Sequence, residues 1–307
     1  MTLPTHTLTA MAAVGDPSCF MPVDKLVQAQ DPRAVPGRDL PVPRTLSQCR
    51  AVRTYYLSGP ANIEDLRASL ATVGQRESID LVLQPVAARL RQYRLAVFDM
   101  DSTLIRCEVI DELARCAGVG NLVASITDRA MKGEIDFETS FRERLALLEG
   151  LDASFIDALA ADLPVTEGVA ELMVTLRARG VYTVVISGGF LPFAQYLQRQ
   201  FGFDEVYANA LPVERGRVTG KPLLPIVDGE FKRRTLLDIA TRLKITPEAV
   251  IAVGDGANDI PMMAAAGLGI AYAAKPRVAE RADCQIRHVG LDGVLYLLGS
   301  KGELGSA

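Results

Sequence analysis

Two carboxylates, Asp99 and Asp101, stand one residue apart directly after the apolar run 95–98. In an extended backbone the side chains of residues i and i+2 point the same way, so both acids would face one site. A pair of this kind can supply a nucleophile and a general acid. An acid after a strand also commonly caps the next helix, and the motif alone does not decide between the two interpretations.

A hydroxyl and two glycines, SGG at 187–189, follow a second apolar run at 182–186. Ser187 offers the hydroxyl, and the flexible backbone at Gly188 lets N–H groups turn toward an anion at the start of a helix. An ordinary turn would use the same residues. The motif therefore indicates anion binding only together with the others.

Oxygen ligands are concentrated in the segment GDGAND at 254–259, which follows a third apolar run. Asp255, Asn258 and Asp259 are hard oxygen donors of the kind that Mg²⁺ prefers, and a solvated turn is the alternative. Lys232 begins a helical pattern that leads into this segment. A lone lysine there is ordinarily a solvated charge, and the neighbouring motifs are what favour a role in a site.

The hydrophobic pattern predicts the elements that must position these residues. The runs 95–98, 182–186, 250–253 and 268–272 are short and apolar, and each ends in polar or glycine residues, which is typical of a parallel sheet. Ligands of such sheets bind beyond the carboxyl ends of the strands. The sequence thus predicts a Rossmann-like, doubly wound α/β sheet.

A long stretch between the first two runs predicts an inserted subdomain. It has about 80 residues, whereas an ordinary crossover is far shorter. Apolar helical faces at 109–114 and 137–148 predict a helical cap at about 108–165, above the strand ends. Residues 167–179 then form the crossover helix, and 211–220 is typical of a hairpin.

The residues ahead of this sheet divide into two parts. Residues 1–45 are rich in proline and have no sustained period, which predicts irregular backbone. Residues 46–90 predict a small β-α-β module with a linker, and 91–307 are the main domain. The predicted architecture is therefore an α/β domain with a cap and a small N-terminal α+β module.

The composition excludes several classes of partner. With a net charge of -4 and a pI near 5.4, the chain has no broad basic field for nucleic acid. No apolar window approaches the length of a membrane span. Only two histidines occur, which gives poor support to a histidine-based phosphatase or zinc site. Five scattered cysteines without a CxxC motif favour reduced thiols and a cytoplasmic protein.

The ordered motifs DxDST, SGG, Lys232 and GDGAND resemble those of the haloacid-dehalogenase-like (HAD) hydrolase superfamily, over about residues 94–288. The segments FDMDSTL, IDELA, AMKGEIDFETSFRERLALL, VVISGGF and AVGDGANDIPM are most similar to members that hydrolyse O-phospho-L-serine. The module at 46–90 more faintly resembles the ACT-type modules that bind amino acids.

The resemblance implies phosphoryl transfer in two steps through an aspartyl-phosphate. Asp99 would be the nucleophile, and Asp101 would protonate the leaving group and later deprotonate water. Mg²⁺ would bind Asp99, Asp255 and the main-chain carbonyl of Asp101, because an anion that approaches a phosphate needs a cation beside it. Asp259 would support this set of ligands.

The resemblance also implies the residues that bind substrate. Glu108 and Arg144 would meet the ammonium and carboxylate groups of phosphoserine, although a surface charge is the alternative for Arg144. Met131 and Phe137 would form an apolar lid, or else only the core of the cap. The phosphoryl oxygens would be held by Ser187, Gly188, Lys232 and Asn258.

The predicted function is Mg²⁺-dependent hydrolysis of O-phospho-L-serine to L-serine and phosphate, the last step of serine biosynthesis. L-Serine as a feedback ligand and a homodimer are further hypotheses, and the sequence leaves open whether the N-terminal module binds serine, pairs subunits or is vestigial. Two alternatives are a HAD phosphatase for another small phosphomonoester and a non-catalytic amino-acid sensor. A sugar phosphate has no ammonium or carboxylate for Glu108 and Arg144, and a sensor needs no nucleophile, so both are disfavoured.

Overall fold

The computed structural model describes residues 3–40, 51–60 and 62–299, apart from the side chains of 35–38. These residues form an N-terminal module, a main α/β domain and a helical cap inserted into that domain. The domain boundary predicted after residue 45, and Cys49, lie outside the described residues. None of the helices in the described ranges combines the length and the hydropathy that a membrane-spanning helix requires.

The N-terminal module is a four-stranded sheet with two helices in the order βαββαβ. The strand order is β2-β3-β1-β4, and neighbouring strands are antiparallel, which is the ferredoxin-like arrangement. The elements are β1 (His6–Ala12), α1 (Met21–Gln30), β2 (Val35–Asp39), β3 (Ala51–Leu57), α2 (Ile63–Glu77) and β4 (Ile79–Pro85).

The prediction of irregular backbone over residues 1–45 is wrong, because β1, α1 and β2 lie there. β1 alternates threonine and methionine on one face with leucine and alanine on the other, and it pairs with both β3 and β4. Two of the prolines among the described residues occupy positions where a missing N–H donor costs little. Pro22 is in the first turn of α1, and Pro36 is in the edge strand β2.

The main domain is a six-stranded sheet of order β12-β11-β10-β5-β6-β7 in which all neighbours are parallel. A four-residue helix, α3 (Val86–Arg89), joins it to the module. Its strands are β5 (Leu95–Phe98), β6 (Tyr182–Phe190), β7 (Glu205–Asn209), β10 (Val250–Gly254), β11 (Leu268–Tyr272) and β12 (Cys284–Ile286). A separate two-stranded hairpin consists of β8 (Val213–Glu214) and β9 (Arg217–Val218), as predicted.

Both faces of the main sheet are covered, so the predicted doubly wound architecture is confirmed. Successive residues of β5 enter different apolar clusters, with Ala96 and Phe98 on one face and Leu95 and Val97 on the other. The four β5 residues are fully buried. The covering helices are α8 (Val169–Ala178), α9 (Leu191–Phe201), α10 (Gly229–Arg242), α11 (Ile260–Ala265) and α12 (Pro276–Ala279).

The cap lies between β5 and β6 in sequence, as predicted, and contains four helices: α4 (Val109–Cys116), α5 (Gly120–Met131), α6 (Phe137–Ala146) and α7 (Ser154–Ala161). The β8–β9 hairpin of the main domain contacts the cap through backbone hydrogen bonds. The Ala153 N–H donates to the Gly216 carbonyl at 2.9 Å, and the Gly150 N–H donates to Val218 at 2.9 Å. The cap is therefore held to the domain by backbone hydrogen bonds as well as by its chain connections.

One buried acid of the module fixes it to the main domain. Asp80 of β4 is 4% exposed and accepts hydrogen bonds from three consecutive backbone N–H groups, those of Arg287, His288 and Val289, at 2.8, 2.8 and 3.0 Å. A carboxylate bound by several N–H groups is a strong, directional contact. The module thus docks on the chain that leaves β12.

Candidate active site

The predicted site residues converge at the carboxyl ends of β5, β6 and β10, beneath the cap. A cavity of about 130 Å³ lies there. Eight of the residues predicted for the site line it: Asp99, Asp101, Glu108, Arg144, Ser187, Gly188, Asp255 and Asn258. Three others that were predicted, Lys232, Asp259 and Met131, do not. The strand order explains the convergence, since β5 lies between β6 and β10 and their carboxyl ends meet at one edge.

Lys232 does not line the cavity, but it pairs with two carboxylates, and one of them, Asp99, lines it. It is fully buried on α10, with Nζ 2.8 Å from Asp99 Oδ1 and 2.7 Å from Asp259 Oδ1. Burial alone would lower the pKa of Lys232, but the attraction of Asp259 and Asp99 outweighs it, and the pKa is raised. The ammonium is therefore a permanent positive charge against Asp99.

Asp101 is in a different environment from Asp99, although the two acids are neighbours. Burial raises the pKa of Asp101 well above its ordinary range, and the nearby carboxylates of Glu108 and Asp99 raise it further. Its Oδ1 is buried and has no hydrogen-bond partner among the described residues. Asp101 is thus suited to carry a proton, while Asp99 lies 2.8 Å from the Lys232 ammonium, so the two acids are in different environments.

Gly189 leaves the space that the Asp101 carboxyl group occupies. A Cβ atom built on Gly189 would lie 2.6 Å from Asp101 Oδ2 and 2.7 Å from Met100 Cε. We expect Gly189→Ala to displace Asp101 and lower kcat by roughly 10- to 100-fold, since misplaced proton donors lose about this much. Steady-state kinetics would measure it. Gly120→Ala on α5, where the new Cβ meets only ordinary contacts, should leave kcat unchanged.

Three acids of the site could hold a metal ion. Asp99, Asp255 and Asp259 each offer one carboxylate oxygen, and these atoms lie within 4.8 Å of one another. Burial raises the pKa of Asp255 to about 8, and the charges of Asp99 and Asp259 add to this effect. Oxygen ligands with crowded negative charge fit a hard divalent cation such as Mg²⁺. Thr103 Oγ1 donates to Asp255 Oδ1 at 3.1 Å and orients that carboxylate.

Asp259 differs from the other two acids because protein groups already engage both of its oxygens. Lys232 binds Oδ1, and the Gly256 N–H donates to Oδ2 at 2.9 Å. This arrangement agrees with the predicted supporting role, and it leaves the predicted metal ligands Asp99 and Asp255 on the cavity side. The part assigned to the main-chain carbonyl of Asp101 stays a prediction.

The crowded carboxylates make stability depend on pH when no metal is bound. Because the folded-state pKa of Asp255 is raised to about 8, the folded protein binds a proton that the unfolded chain releases above an ordinary pKa of about 3.9. We expect Tm in EDTA to fall as pH rises from about 5 to 8, and Mg²⁺ to restore it most at the upper end. Thermal unfolding at several pH values would measure both, and Asp255→Asn should flatten the two dependences.

The phosphate side of the site is formed by the end of β6. Ser187 is fully buried and its Oγ accepts a hydrogen bond from the Gly189 N–H at 2.9 Å. β6 continues to Phe190 and α9 begins at Leu191, so the SGG segment belongs to the strand end and not to the start of a helix as expected. Its backbone nevertheless faces the cavity.

Asn209 is a site residue that sequence reasoning missed. It is 2% exposed at the end of β7, and its Nδ2 donates to the Gly188 carbonyl at 2.7 Å. Its Oδ1 accepts from the Val227 N–H at 2.9 Å, just ahead of α10. Asn209 thus joins the SGG segment to the helix that carries Lys232. The sequence pattern that could have indicated Asn209 is a polar residue at the end of a strand, but no neighbouring motif supported a role in the site.

The cap supplies the other side of the cavity. Glu108 precedes α4 and stays accessible from the cavity, although desolvation by the surrounding protein raises its pKa and the Ser102 hydroxyl opposes this. Arg144 lies on α6, where burial lowers its pKa and the charges of Glu108 and Asp111 oppose the change. Glu108 and Arg144 both line the cavity, and among the described residues they are not joined by a salt bridge within 4.0 Å, although their charges attract each other.

Apolar residues of the cap complete the wall. Phe137 and Phe141 line the cavity and stack with ring centroids 6.5 Å apart. Met131, predicted as the other lid residue, is 65% exposed and does not line the cavity. It is at the end of α5, where the helix projects into solvent, and its Sδ is 3.6 Å from Lys275 Nζ.

Comparison with known proteins agrees with this site. A family model described as haloacid dehalogenase-like hydrolase matches residues 93–267. These residues contain the paired acids, the SGG segment, Lys232 and the GDGAND segment. The chain therefore belongs to the haloacid dehalogenase-like hydrolases.

Individual relatives of known name narrow the comparison within this family. The chain is 42% identical over 240 residues to phosphoserine phosphatase from Archaeoglobus fulgidus, which is 78% of this chain and 70% of that protein. It is 43% identical over 267 residues to phosphoserine phosphatase SerB2 from Mycobacterium tuberculosis, which is 84% of this chain and 65% of that protein. The chain thus spans about two thirds of the length of these relatives.

A solved structure shares the whole architecture, including the N-terminal module. The crystal structure of a HAD family hydrolase from Salmonella enterica serovar Typhi superposes with a TM-score of 0.86 at 29% identity. The match covers 96% of this chain and 99% of that one. The arrangement of module, main domain and cap therefore occurs elsewhere in the family.

Proposed function

We propose that the protein is a Mg²⁺-dependent phosphoserine phosphatase that hydrolyses O-phospho-L-serine to L-serine and phosphate, the final step of serine biosynthesis. The observation that carries the proposal is the position of Glu108 and Arg144, which face the same small cavity as Asp99 without pairing to each other. The names of the relatives from Archaeoglobus fulgidus and Mycobacterium tuberculosis support it.

Asp99 begins the reaction as the nucleophile. Its carboxylate attacks phosphorus, the bond between phosphorus and the seryl oxygen breaks, and an aspartyl-phosphate forms. Asp101 gives its proton to the departing seryl oxygen, so the product leaves as neutral alcohol. The raised pKa of Asp101 supports this role, because the carboxyl group holds a proton until the leaving group needs it.

Asp101 then reverses its role in the second step. As a carboxylate it takes a proton from a water molecule that attacks the phosphorus of the aspartyl-phosphate, and phosphate leaves as Asp99 is regenerated. Throughout, Ser187, the Gly188 N–H and Asn258 hold the phosphoryl oxygens, and the Lys232 charge offsets the negative charge of the transfer. Mg²⁺ bound by Asp99, Asp255 and the main-chain carbonyl of Asp101 would neutralise charge on the transferring group.

The cap selects the substrate in this proposal. Glu108 binds the ammonium group and Arg144 binds the carboxylate, while Phe137 and Phe141 exclude water from the cavity. A sugar phosphate carries neither an ammonium nor a carboxylate group for Glu108 and Arg144 to bind, so it is disfavoured as the substrate. A non-catalytic sensor is disfavoured, because binding alone would not need both a nucleophile at Asp99 and a proton donor at Asp101.

A phosphate-release assay with matched esters tests the substrate. Phosphoserine is compared with phosphoethanolamine, which lacks the carboxylate, with 3-phosphooxypropionate, which lacks the ammonium, and with glucose 6-phosphate. We expect kcat/KM for phosphoserine to exceed that for each truncated ester by about 10- to 100-fold, since each charged contact contributes about 1.5–3 kcal/mol. Equal rates on phosphoserine and both truncated esters would contradict the proposed substrate.

The N-terminal module is proposed to bind L-serine as a feedback ligand, and the enzyme to be a cytoplasmic homodimer. The ferredoxin-like order of the module and its fixed docking through Asp80 support a regulatory use, and free thiols among the described cysteines support a reducing compartment. L-Serine titration of the full-length enzyme by calorimetry, with sedimentation for the dimer, tests both. Purely competitive inhibition with one serine site per chain would remove the feedback role.

A further inference from the structure

Ser102 has a backbone conformation that is uncommon for a residue with a side chain. Its φ is +57°, in the left-handed region, and its N–H donates to the Cys107 carbonyl at 3.2 Å. This hydrogen bond closes a short loop between the end of β5 and the start of α4. The closed loop brings Ser102 beside Glu108, six residues later in the chain.

The left-handed turn sends three consecutive side chains to different parts of the site. Asp101 faces the cavity beside Gly189, and Thr103 donates to Asp255 at 3.1 Å. Between them, Ser102 Oγ donates to Glu108 Oε1 at 3.0 Å. The Ser102 hydroxyl therefore reaches the cap side of the cavity, away from the acids that handle the phosphate.

The hydrogen bond constrains a side chain that would otherwise be free to rotate. Glu108 precedes α4, its backbone is extended, and its side chain is accessible from the cavity. Among the described residues, Ser102 is the hydrogen-bond donor that holds the Glu108 carboxylate, and it occupies Oε1. Oε2 is left for a ligand, and a donor on one oxygen also favours the ionised form of the acid.

We propose that Ser102 is a positioning residue that determines specificity: its hydroxyl holds Glu108 so that the free carboxylate oxygen meets the ammonium group of the substrate. This inference rests on the proposed function, because it assumes an ammonium-bearing phosphate ester. Among the described residues, the hydrogen bond of the Ser102 hydroxyl is the one to Glu108. Its effect is confined to substrates that carry the ammonium.

The test compares two variants on two esters. Ser102→Ala removes the hydroxyl, and Ser102→Gly also removes it while relieving any strain at φ +57°. We expect both variants to lower kcat/KM for phosphoserine by about tenfold, mainly through KM, because a hydrogen bond to a charged group is lost. For 3-phosphooxypropionate, which lacks the ammonium, both should stay within about twofold of wild type.

A double-mutant cycle separates action through Glu108 from a general structural effect. In a Glu108→Gln background, Ser102→Ala should cause no further loss with phosphoserine, since the two residues act as one unit. Equal losses on both esters, or full additivity with Glu108→Gln, would overturn the inference. So would a wild-type preference for phosphoserine that survives both Ser102 variants. A wild type that does not distinguish the two esters would instead overturn the proposed function, and this role with it.

Discussion

Asp99→Asn is expected to abolish measurable turnover, with a loss of at least about 10⁴-fold in kcat, because an amide cannot attack phosphorus as a carboxylate does. The substitution preserves shape at the end of β5, and Lys232 keeps Asp259 as its partner at 2.7 Å. The fold should therefore survive. Phosphate release measures turnover, circular dichroism measures the fold, and acid-quenched enzyme examined by mass spectrometry reports the phosphoryl adduct, which wild type forms and the variant does not.

Asp136→Asn is the matched control for this substitution. Asp136 caps α6 on the surface of the cap, where its carboxylate accepts from the Thr139 N–H at 2.7 Å. Asparagine is also a good helix cap, so turnover should be unchanged.

Mass spectrometry of the Asp99→Asn protein also verifies that the asparagine has not deamidated back to aspartate. Activity within tenfold of wild type in verified Asp99→Asn protein is incompatible with an aspartyl-phosphate.

The main domain could be predicted from sequence because each motif sits where the hydrophobic period stops. The strands Leu95–Phe98 and Leu268–Tyr272 begin and end at the residues where the apolar runs do. Parallel strands carry their functional residues at one edge of the sheet, so strand assignment alone placed Asp99, Ser187 and Asp255 together. The insert length likewise predicted the cap.

The residues that orient the site could not be predicted, because their contacts depend on tertiary geometry. Asn209 joins Gly188 to Val227 across β7 and the start of α10, and no local spacing in the sequence encodes that bridge. Thr103 reaches Asp255 over 152 positions of chain. Such contacts exist only after the sheet has assembled.

The prediction for the N-terminal module was wrong for a different reason. The seven prolines of residues 1–45 favoured irregular backbone, although the strand His6–Ala12 alternates between two faces. Two of them, Pro22 and Pro36, occupy a first helical turn and an edge strand, where proline costs little. These two prolines therefore mark the beginnings of a helix and a strand, and a high proline content does not by itself predict irregular backbone.

Lys232→Met is the second substitution with a large expected effect. Lys232 is fully buried between Asp99 and Asp259, and methionine keeps much of its volume without the charge. Two buried carboxylates would then repel each other, and removing one partner of a buried ion pair costs about 3–5 kcal/mol. We expect kcat to fall by at least about 10³-fold and the free energy of unfolding to decrease, while the exposed Lys221→Met changes neither.

A second variant separates the electrostatic support of the fold from the chemistry. In Lys232→Met/Asp259→Asn one of the two uncompensated carboxylates is gone, so most of the lost stability should return. Turnover should stay low, because the ammonium group beside Asp99 that offsets the charge of phosphoryl transfer is still missing. Denaturant unfolding and phosphate release on the same preparations measure the two quantities. If the double variant regains activity together with stability, Lys232 serves only as a structural counter-ion, and the role of its charge in the transfer is wrong.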